Sequence, residues 1–231
     1  MEKAVILGEG FLRGVIFIGS EGPGSELLKK IAEGADILVA ADSGLIAAED
    51  AGLRVDWIVG DMDSLGAADS RGASNLHRLD KYPPDRVLRF PPDKDLSDTE
   101  LAFNLLREKG CDEIWLAGGG GGRIDHLFAI RSLFEREKPP ARWFPGNAEI
   151  RCIEEGQTVS LKLPPESLVS VFPLGEGPWE AESFALKWPL NGLPWKRGSF
   201  GLSNVAVNGS FEIRSVRGRF LVYTCRLIYG S

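Results

Sequence analysis

Four short segments hold the residues able to do chemistry. They are Ala41-Asp-Ser-Gly44, Gly60-Asp-Met-Asp-Ser64, Asp93-Lys-Asp-Leu-Ser-Asp98, and glycines 118–122 leading into Arg123-Ile-Asp-His126. If they meet, Asp42, Asp61, Asp63, Asp93, Asp95, Asp98 and Asp125 crowd one cleft with negative charge. At about 4 Å and an effective dielectric near 20, each like-charged pair costs roughly 4 kcal/mol. A cation removes that cost. Mg2+ suits such a cleft: it is a hard ion held by one or two carboxylates, water and substrate phosphates. The glycine run lets backbone N–H groups approach an anion closely, and the helix after it offers its N-terminal dipole to a phosphate. Arg123 adds a bidentate phosphate donor. Carboxylates, implied metal, glycine turn and Arg together read as a nucleoside triphosphate site.

Each segment lies just past a predicted strand, which is the reason to expect them to meet. Val15–Ile18, Ile37–Ala41, Trp57–Val59, Arg86–Phe90 and Ile114–Ala117 read as strands. Helices are predicted over Ser25–Glu33, Gly44–Ala51, Ser97–Lys109 and Ile124–Lys138. Ser97-Asp-Thr-Glu100 is a capping box, and Gly110 stops that helix. Alternation of this kind implies a parallel sheet with helices on its faces, a Rossmann-like α/β fold. All strand C-termini of such a sheet share the edge where ligands bind.

Beyond about residue 145 the period becomes two. Thr158–Leu163, Leu168–Phe172, Trp179–Phe184, Val205–Val207, Phe211–Val216 and Phe220–Thr224 read as six short strands. They predict an antiparallel sandwich, jelly-roll-like, or a barrel. Pro139, Pro140, Pro145 and Gly146 mark a boundary, giving an α/β part over 1–145 and an all-β part over 146–231.

Taken singly, each piece has a plainer explanation. Asp42 suits a turn, Asp61 and Asp63 a solvated loop, Asp95 or Ser97 a helix cap, and His126 a capping or core position. Their common place at strand ends outweighs those explanations. Familiar nucleotide motifs do not apply. Gly19–Gly24 has phosphate-loop spacing, but Ser25 stands where Lys is needed. Gly8-Glu-Gly10 starts a dinucleotide fingerprint, but Arg13 takes the third glycine position.

The 231 residues carry 27 Lys and Arg against 33 Asp and Glu, a formal net charge of −6. That excludes a general nucleic-acid binder, which needs a basic surface. No polybasic segment offers a membrane anchor, and no apolar run approaches the ~20 residues that span a bilayer. Three scattered cysteines fit neither a disulfide framework nor a zinc site. Met1-Glu-Lys3 does not open a secretion signal, so a cytoplasmic location is expected.

The four segments, in order, resemble the thiamine pyrophosphokinase family. Its pattern runs Ala-Asp-Gly-Gly, Gly-Asp-Phe-Asp-Ser, Asp-Lys-Asp-x-Thr-Asp, then a glycine-rich turn before Arg-x-Asp-His. Leu186-Lys-Trp-Pro-Leu190 and Gly201-Leu-Ser-Asn204 also resemble the family's later motifs. The resemblance covers roughly residues 15–224. It implies transfer of the terminal diphosphate of ATP, the co-substrate, to the hydroxyl of thiamine, with attack on the β-phosphorus and release of AMP. It implies Mg2+ held by Asp61, Asp63 and Asp98, with Asp125 near the reacting groups as an orienting group or base. Asp42, Ser43, Gly44, Ser64, Lys94, Asp95, Gly119, Gly122 and Arg123 would shape the ATP and phosphate pocket. Trp188 would stack on thiamine, with Ser203 and Asn204 beside it, an apt surface for a cationic ligand. It also implies a homodimer with the site shared between chains.

The chain departs from the pattern at Ser43, Leu45, Ile46, Met62, Ser97, Phe184 and Ala185. Those changes bear on substrate contacts more than on the metal. Two other classes stay open: a diphosphokinase for another alcohol such as a hydroxymethylpterin, and a non-catalytic thiamine or nucleotide sensor. Trp188 and the Ser203-Asn204 turn favour thiamine. The retained carboxylates favour catalysis.

Overall fold

The computed structural model describes residues 10–66, 74–164 and 167–225. The chain divides into two compact units: one ends at Gly19 and resumes over Ser25–Trp115, and the other takes Ser20–Gly24 and the chain from Leu116 onward. Residues 1–9, which include most of the Gly8-Glu-Gly10 near-motif, lie outside the described residues.

In the first unit, strand and helix alternate as the periodicity predicts. The elements are β1 (Arg13–Ile18), α1 (Ser25–Ala32), β2 (Ile37–Ala41), α2 (Gly44–Asp50), β3 (Trp57–Gly60), α3 (Asp63–Gly66), β4 (Val87–Arg89) and α4 (Asp98–Glu108). β1, β2, β3 and β4 pair in that order, all parallel. Val15, Ile16, Phe17, Leu45, Ile58, Leu65 and Leu106 are fully buried and form the core. Ser97 caps α4 as its sequence promised: its Oγ accepts from Glu100 N–H at 3.3 Å, and Glu100 Oε2 accepts from Ser97 N–H at 3.0 Å. The short α3 and a 3-10 helix over Leu76–Lys81 have no sequence signal. Glu49 of α2 ties that 3-10 helix down through Arg78 at 3.1 Å and Lys81 at 2.8 Å.

β5 (Glu113–Gly118) leads from the first unit into the second. The second unit holds α5 (Ile124–Leu133), then β6 (Arg142–Phe144), β7 (Ala148–Ile153), β8 (Thr158–Lys162), β9 (Leu168–Leu174), β10 (Glu180–Phe184), β11 (Gly201–Val205), β12 (Ser210–Arg217) and β13 (Arg219–Cys225). Strands β11-β9-β13-β7-β6 pair antiparallel in that order, and β10-β12-β8 form a separate antiparallel sheet. Val169, Val171, Phe220 and Val222 share a core with Val159, Ala181, Phe211 and Ile213, so the two sheets bury one another's inner faces.

Three expectations shift here. Helix α5 stops at Leu133 rather than running to Lys138. The Arg219 guanidinium takes the carbonyls of Phe134 at 3.0 Å and Arg136 at 2.7 Å, which fixes a turn where the helix would continue. Pro145-Gly146 reads as a linker but lies between β6 and β7, which pair antiparallel through Arg142–Arg151 and Trp143–Ile150. The strand predicted over Val205–Val207 lies earlier, over Gly201–Val205, and its register shifts between Gly201 and Asn204, where Ser203 has φ +56°.

Burial pushes the Cys152 thiol up to about 12. A raised thiol value favours the folded state up to the unfolded value, near 9, and that advantage is lost as pH rises toward 12. Stability should therefore fall above pH 9 by up to about 1.4 kcal/mol per pH unit from this group. Urea melts at pH 8, 9 and 10 check it, and a Cys152→Ala variant should lose that part of the slope.

Candidate active site

Strand C-termini in the first unit present the acidic groups. Asp42 follows β2 with φ +46°, and its N–H donates to Val59 O at 2.9 Å. Ser64 Oγ donates to Asp42 Oδ2, while Asp42 Oδ1 is buried with no hydrogen-bond partner. Asp61 follows β3. Its Oδ1 accepts from Asp63 N–H at 3.0 Å across Met62, which sits at φ +67° with its side chain buried. Asp98 is the first residue of α4, aimed by the cap just before it. Carboxylate oxygens of Asp42, Asp61 and Asp98 lie within 4.8 Å of one another. Non-glycine residues at positive φ are uncommon, and two of them here, Asp42 and Met62, fall within this loop pair.

Gly60 is what lets these groups approach. It has φ +154°, and a Cβ there would lie 3.1 Å from Asp42 Cβ and 3.3 Å from Asp98 Cγ. Lys94 closes the cluster: its Nζ stands 3.0 Å from Asp98 Oδ1 and 3.2 Å from Asp61 Oδ2.

Burial pushes Asp42 above the usual carboxylate range, against the Ser64 hydroxyl, and Asp98 and Asp61 add to the rise. Burial likewise raises Asp98, against the Lys94 ammonium, with Asp61 and Asp63 adding. Asp61 is held low by the Asp63 N–H, with burial opposing and Lys94 helping. Burial pulls Lys94 down, but Asp98 and Asp61 outweigh it and push it up. The cluster is thus short of positive charge. Asp42 Oδ1 is a buried oxygen that accepts no hydrogen bond, while Asp98 Oδ1 has only the Lys94 ammonium beside it, at 3.0 Å. An all-oxygen set with such an orphaned acceptor fits a hard divalent cation.

Other expected residues take different places. Asp63 is exposed, and its side chain lies outside the group of carboxylates within 4.8 Å; Asp95 is exposed too. Gly44 has a packing reason for its identity, since a Cβ there would lie 2.0 Å from Phe17 O. Ser43 precedes α2 and puts no side-chain bond on the helix end; its Oγ instead overlies Gly19, where a Cβ would meet it at 2.1 Å.

The glycine turn belongs to the second unit. Glu21 and Gly120 exchange backbone hydrogen bonds of 3.0 and 2.8 Å, and Ser20 Oγ donates to Gly120 O at 2.9 Å. Gly118, Gly119, Gly121 and Gly122 all have φ between +62° and +102°, so this loop needs glycine's freedom. Arg123 is the N-cap residue of α5 and pairs with Asp125 at 2.5 Å. That partner holds Asp125 below the usual carboxylate range, which suits an orienting charge better than a base.

Trp188 exposes 53% of its surface, and Lys187 Nζ lies 4.6 Å from its ring centre. Asn204 is buried, and its side chain is engaged by the Trp188 backbone. Nδ2 donates to Trp188 O at 2.6 Å, and Oδ1 accepts from Trp188 N–H at 3.1 Å and Val205 N–H at 2.9 Å. Asn204 therefore fixes the Trp188 main chain. Ser203 N–H donates to Ser170 Oγ at 3.2 Å. The family resemblance puts Asp42 in the ATP pocket and Asp61, Asp63 and Asp98 on the metal, whereas the structure groups Asp42 with Asp61 and Asp98; the close approach at Gly60 and the clamp by Asn204 were not read from the sequence. Of the last two only Gly60 left a trace, as the glycine directly before Asp61.

Residues 28–142 match the family model for the thiamin pyrophosphokinase catalytic domain. The thiamine pyrophosphokinase of Bacillus subtilis is 28% identical over 139 residues, 60% of this chain and 54% of that protein, so the matched stretch spans about half the relative's length. The crystal structure of thiamine pyrophosphokinase from Bacillus subtilis aligns with TM-score 0.73 at 21% identity, over 94% of this chain and 99% of that one. That from Geobacillus thermodenitrificans aligns at 0.70 and 24%, over 95% and 99%. A Candida albicans thiamin pyrophosphokinase aligns at 0.65 and 14%, over 94% and 90%. At these identities the structural likenesses speak for the fold, a mixed sheet with helices and antiparallel strands.

Proposed function

Because the chain belongs to the thiamin pyrophosphokinase family, we propose that it transfers the diphosphate of ATP to thiamine, giving AMP and thiamine diphosphate. The observation that carries this reading is the cluster of Asp42, Asp61 and Asp98 at strand ends inside the matched domain. Asp61 and Asp98 would hold Mg2+, with Asp63 beside Asp61 and the orphaned Asp42 Oδ1 as further oxygen ligands. Bound there, such an ion would supply neutralisation of phosphate charge. The chain's own residues do the positioning. Ser64 fixes Asp42, the Asp63 N–H fixes Asp61, and the Ser97 cap fixes Asp98. Gly119, Gly122 and Arg123 would bind phosphate through the glycine turn and the guanidinium. Diphosphoryl transfer asks mainly for alignment and charge neutralisation, and an acidic site without a nucleophile meets that demand.

In this reading the Rossmann-like part, drawn from the sequence as residues 1–145, serves the nucleotide and the jelly-roll-like part, drawn as 146–231, serves thiamine and dimerisation; the pairing of β6 with β7 across that line moves β6 into the second part. Exposed Phe184, Trp188, Phe200 and Leu202 offer apolar surface for a partner copy in a homodimer. Sedimentation equilibrium at the monomer mass would count against that dimer. No described helix is long and apolar enough to cross a membrane. The same proposal includes a cytoplasmic location, in whose favour Cys111 and Cys152 are free thiols.

The test is an end-point assay with ATP, Mg2+ and thiamine, resolved by chromatography. Equal amounts of AMP and thiamine diphosphate are expected. ADP in place of AMP, or AMP without a thiamine ester, would overturn the reading. With Trp188 as the thiamine platform, Asn204→Ala should raise KM for thiamine about tenfold by freeing that segment, leaving KM for ATP unchanged. Equal rises in both constants would assign Asn204 a purely structural part.

A further inference from the structure

We propose that Lys94 is the resident counter-ion of the carboxylate cluster, holding Asp61 and Asp98 in place until a divalent cation displaces it. The inference rests on the Mg2+ reading of this site and deepens it. A lysine kept only to meet phosphate would be expected to point into solvent, since its stem is flexible and its head strongly hydrated. Lys94 instead folds back: its side chain is only 13% exposed, against 18% for Asp61 and 22% for Asp98. Its segment is anchored by a turn in which Lys94 N–H donates to Pro92 O at 3.0 Å. The head therefore rests on the two carboxylates by its own contacts.

One ammonium does not balance three carboxylates. Asp42 Oδ1 still accepts no hydrogen bond with Lys94 present, so the cluster keeps its pull on a second cation. A doubly charged ion attracts the same oxygens more strongly than a single charge does. Lysine suits exchange because its single point charge leaves without breaking a bidentate fork, as arginine would have to. The exchange has a consequence for order. The Lys94 ammonium becomes free for an anion only after the metal has entered, so the same event fills the metal position and arms a phosphate donor.

The experiment uses the nucleotide-free chain and Mg2+ alone. In wild type and Lys94→Met, thermal melting is followed across an Mg2+ titration. Without an incumbent, the variant should half-saturate at about tenfold lower Mg2+. It should also melt lower than wild type without metal, and the gap should close at saturation. In wild type, acetylation of Lys94 by acetic anhydride, read by mass spectrometry, should rise several-fold on saturation while Lys109, stacked on Trp57, stays constant. The acetylation arm decides the matter even if Lys94→Met does not fold without metal. Unchanged or weaker Mg2+ binding in the variant, constant Lys94 reactivity, or no Mg2+ response in either protein overturns the proposal. The AMP assay reports separately. Thiamine diphosphate formed without Lys94 exchange would sink this inference alone, and exchange without AMP would sink the proposed activity alone.

Discussion

Asp61→Asn should lower kcat by about 10^3-fold or more while the protein melts within a few degrees of wild type. The expectation follows from what the amide keeps and what it loses. The amide oxygen can still accept the Asp63 N–H now held at 3.0 Å, so the turn through Met62 survives. The substitution also relieves repulsion from Asp42 and Asp98, against loss of one Lys94 contact at 3.2 Å. These terms are individually about 1 kcal/mol and oppose one another. In the proposed reading Asp61 is a charged metal ligand at the reacting phosphates and its loss there would have no such offset; a 10^3-fold loss corresponds to about 4 kcal/mol of transition-state stabilisation. AMP release at saturating ATP, thiamine and Mg2+ measures the first part, and a thermal melt the second. A rate near wild type would remove Asp61 from the metal site. A large drop in melting temperature would mean that its charge holds the loop, and the kinetic loss would then say little about chemistry.

What could be read from the sequence, and what could not, divides along physical lines. Regular elements with strong periodicity were legible. Ser97 and Glu100 announce the start of α4 because a capping box needs only local residues, and the structure places both bonds where the spacing puts them. β12 was legible because Phe211, Ile213 and Ser215 alternate inward against a solvated face. β6 and β7 were not: one is three residues long, and the turn between them carries Pro145 and Gly146, the same residues a linker would use. The site shows the same division. That Asp42, Asp61 and Asp98 come together follows from parallel strands, because all their C-termini share an edge. Which oxygens end up within 4.8 Å depends on Ser64, Gly60 and two positive-φ residues, and such tertiary detail leaves no periodic trace. Asn204 illustrates the limit best. A polar residue beside an expected ligand platform looks like a ligand contact, and only the packed strand reveals that its amide faces the Trp188 backbone.

Gly60→Ala should cost about 10^2-fold in turnover and lower stability, and the argument rests on space as well as on dihedral preference. A Cβ at this position would meet Asp42 Cβ at 3.1 Å and Asp98 Cγ and Oδ1 at 3.3 Å. Neither neighbour can retreat freely. Asp42 is held by its N–H to Val59 O and by Ser64, and Asp98 is fixed at the start of a capped helix. The added methyl must therefore push the two carboxylates apart or bend β3 at its end, and both displace the ligand set. Overpacking costs about 1–3 kcal/mol, and a non-glycine residue at φ +154° adds strain of about the same order. A misplaced ligand set, even by a fraction of an ångström, lowers the rate steeply because alignment is the main catalytic device proposed here. Gly52→Ala separates the two causes. Gly52 also has positive φ, +76°, but no atom lies within 4 Å of a Cβ there, so that variant should lose about 1 kcal/mol of stability and keep its turnover. Matched losses of turnover in the two variants would mean that backbone strain, and not the crowding of Asp42 and Asp98, governs the site.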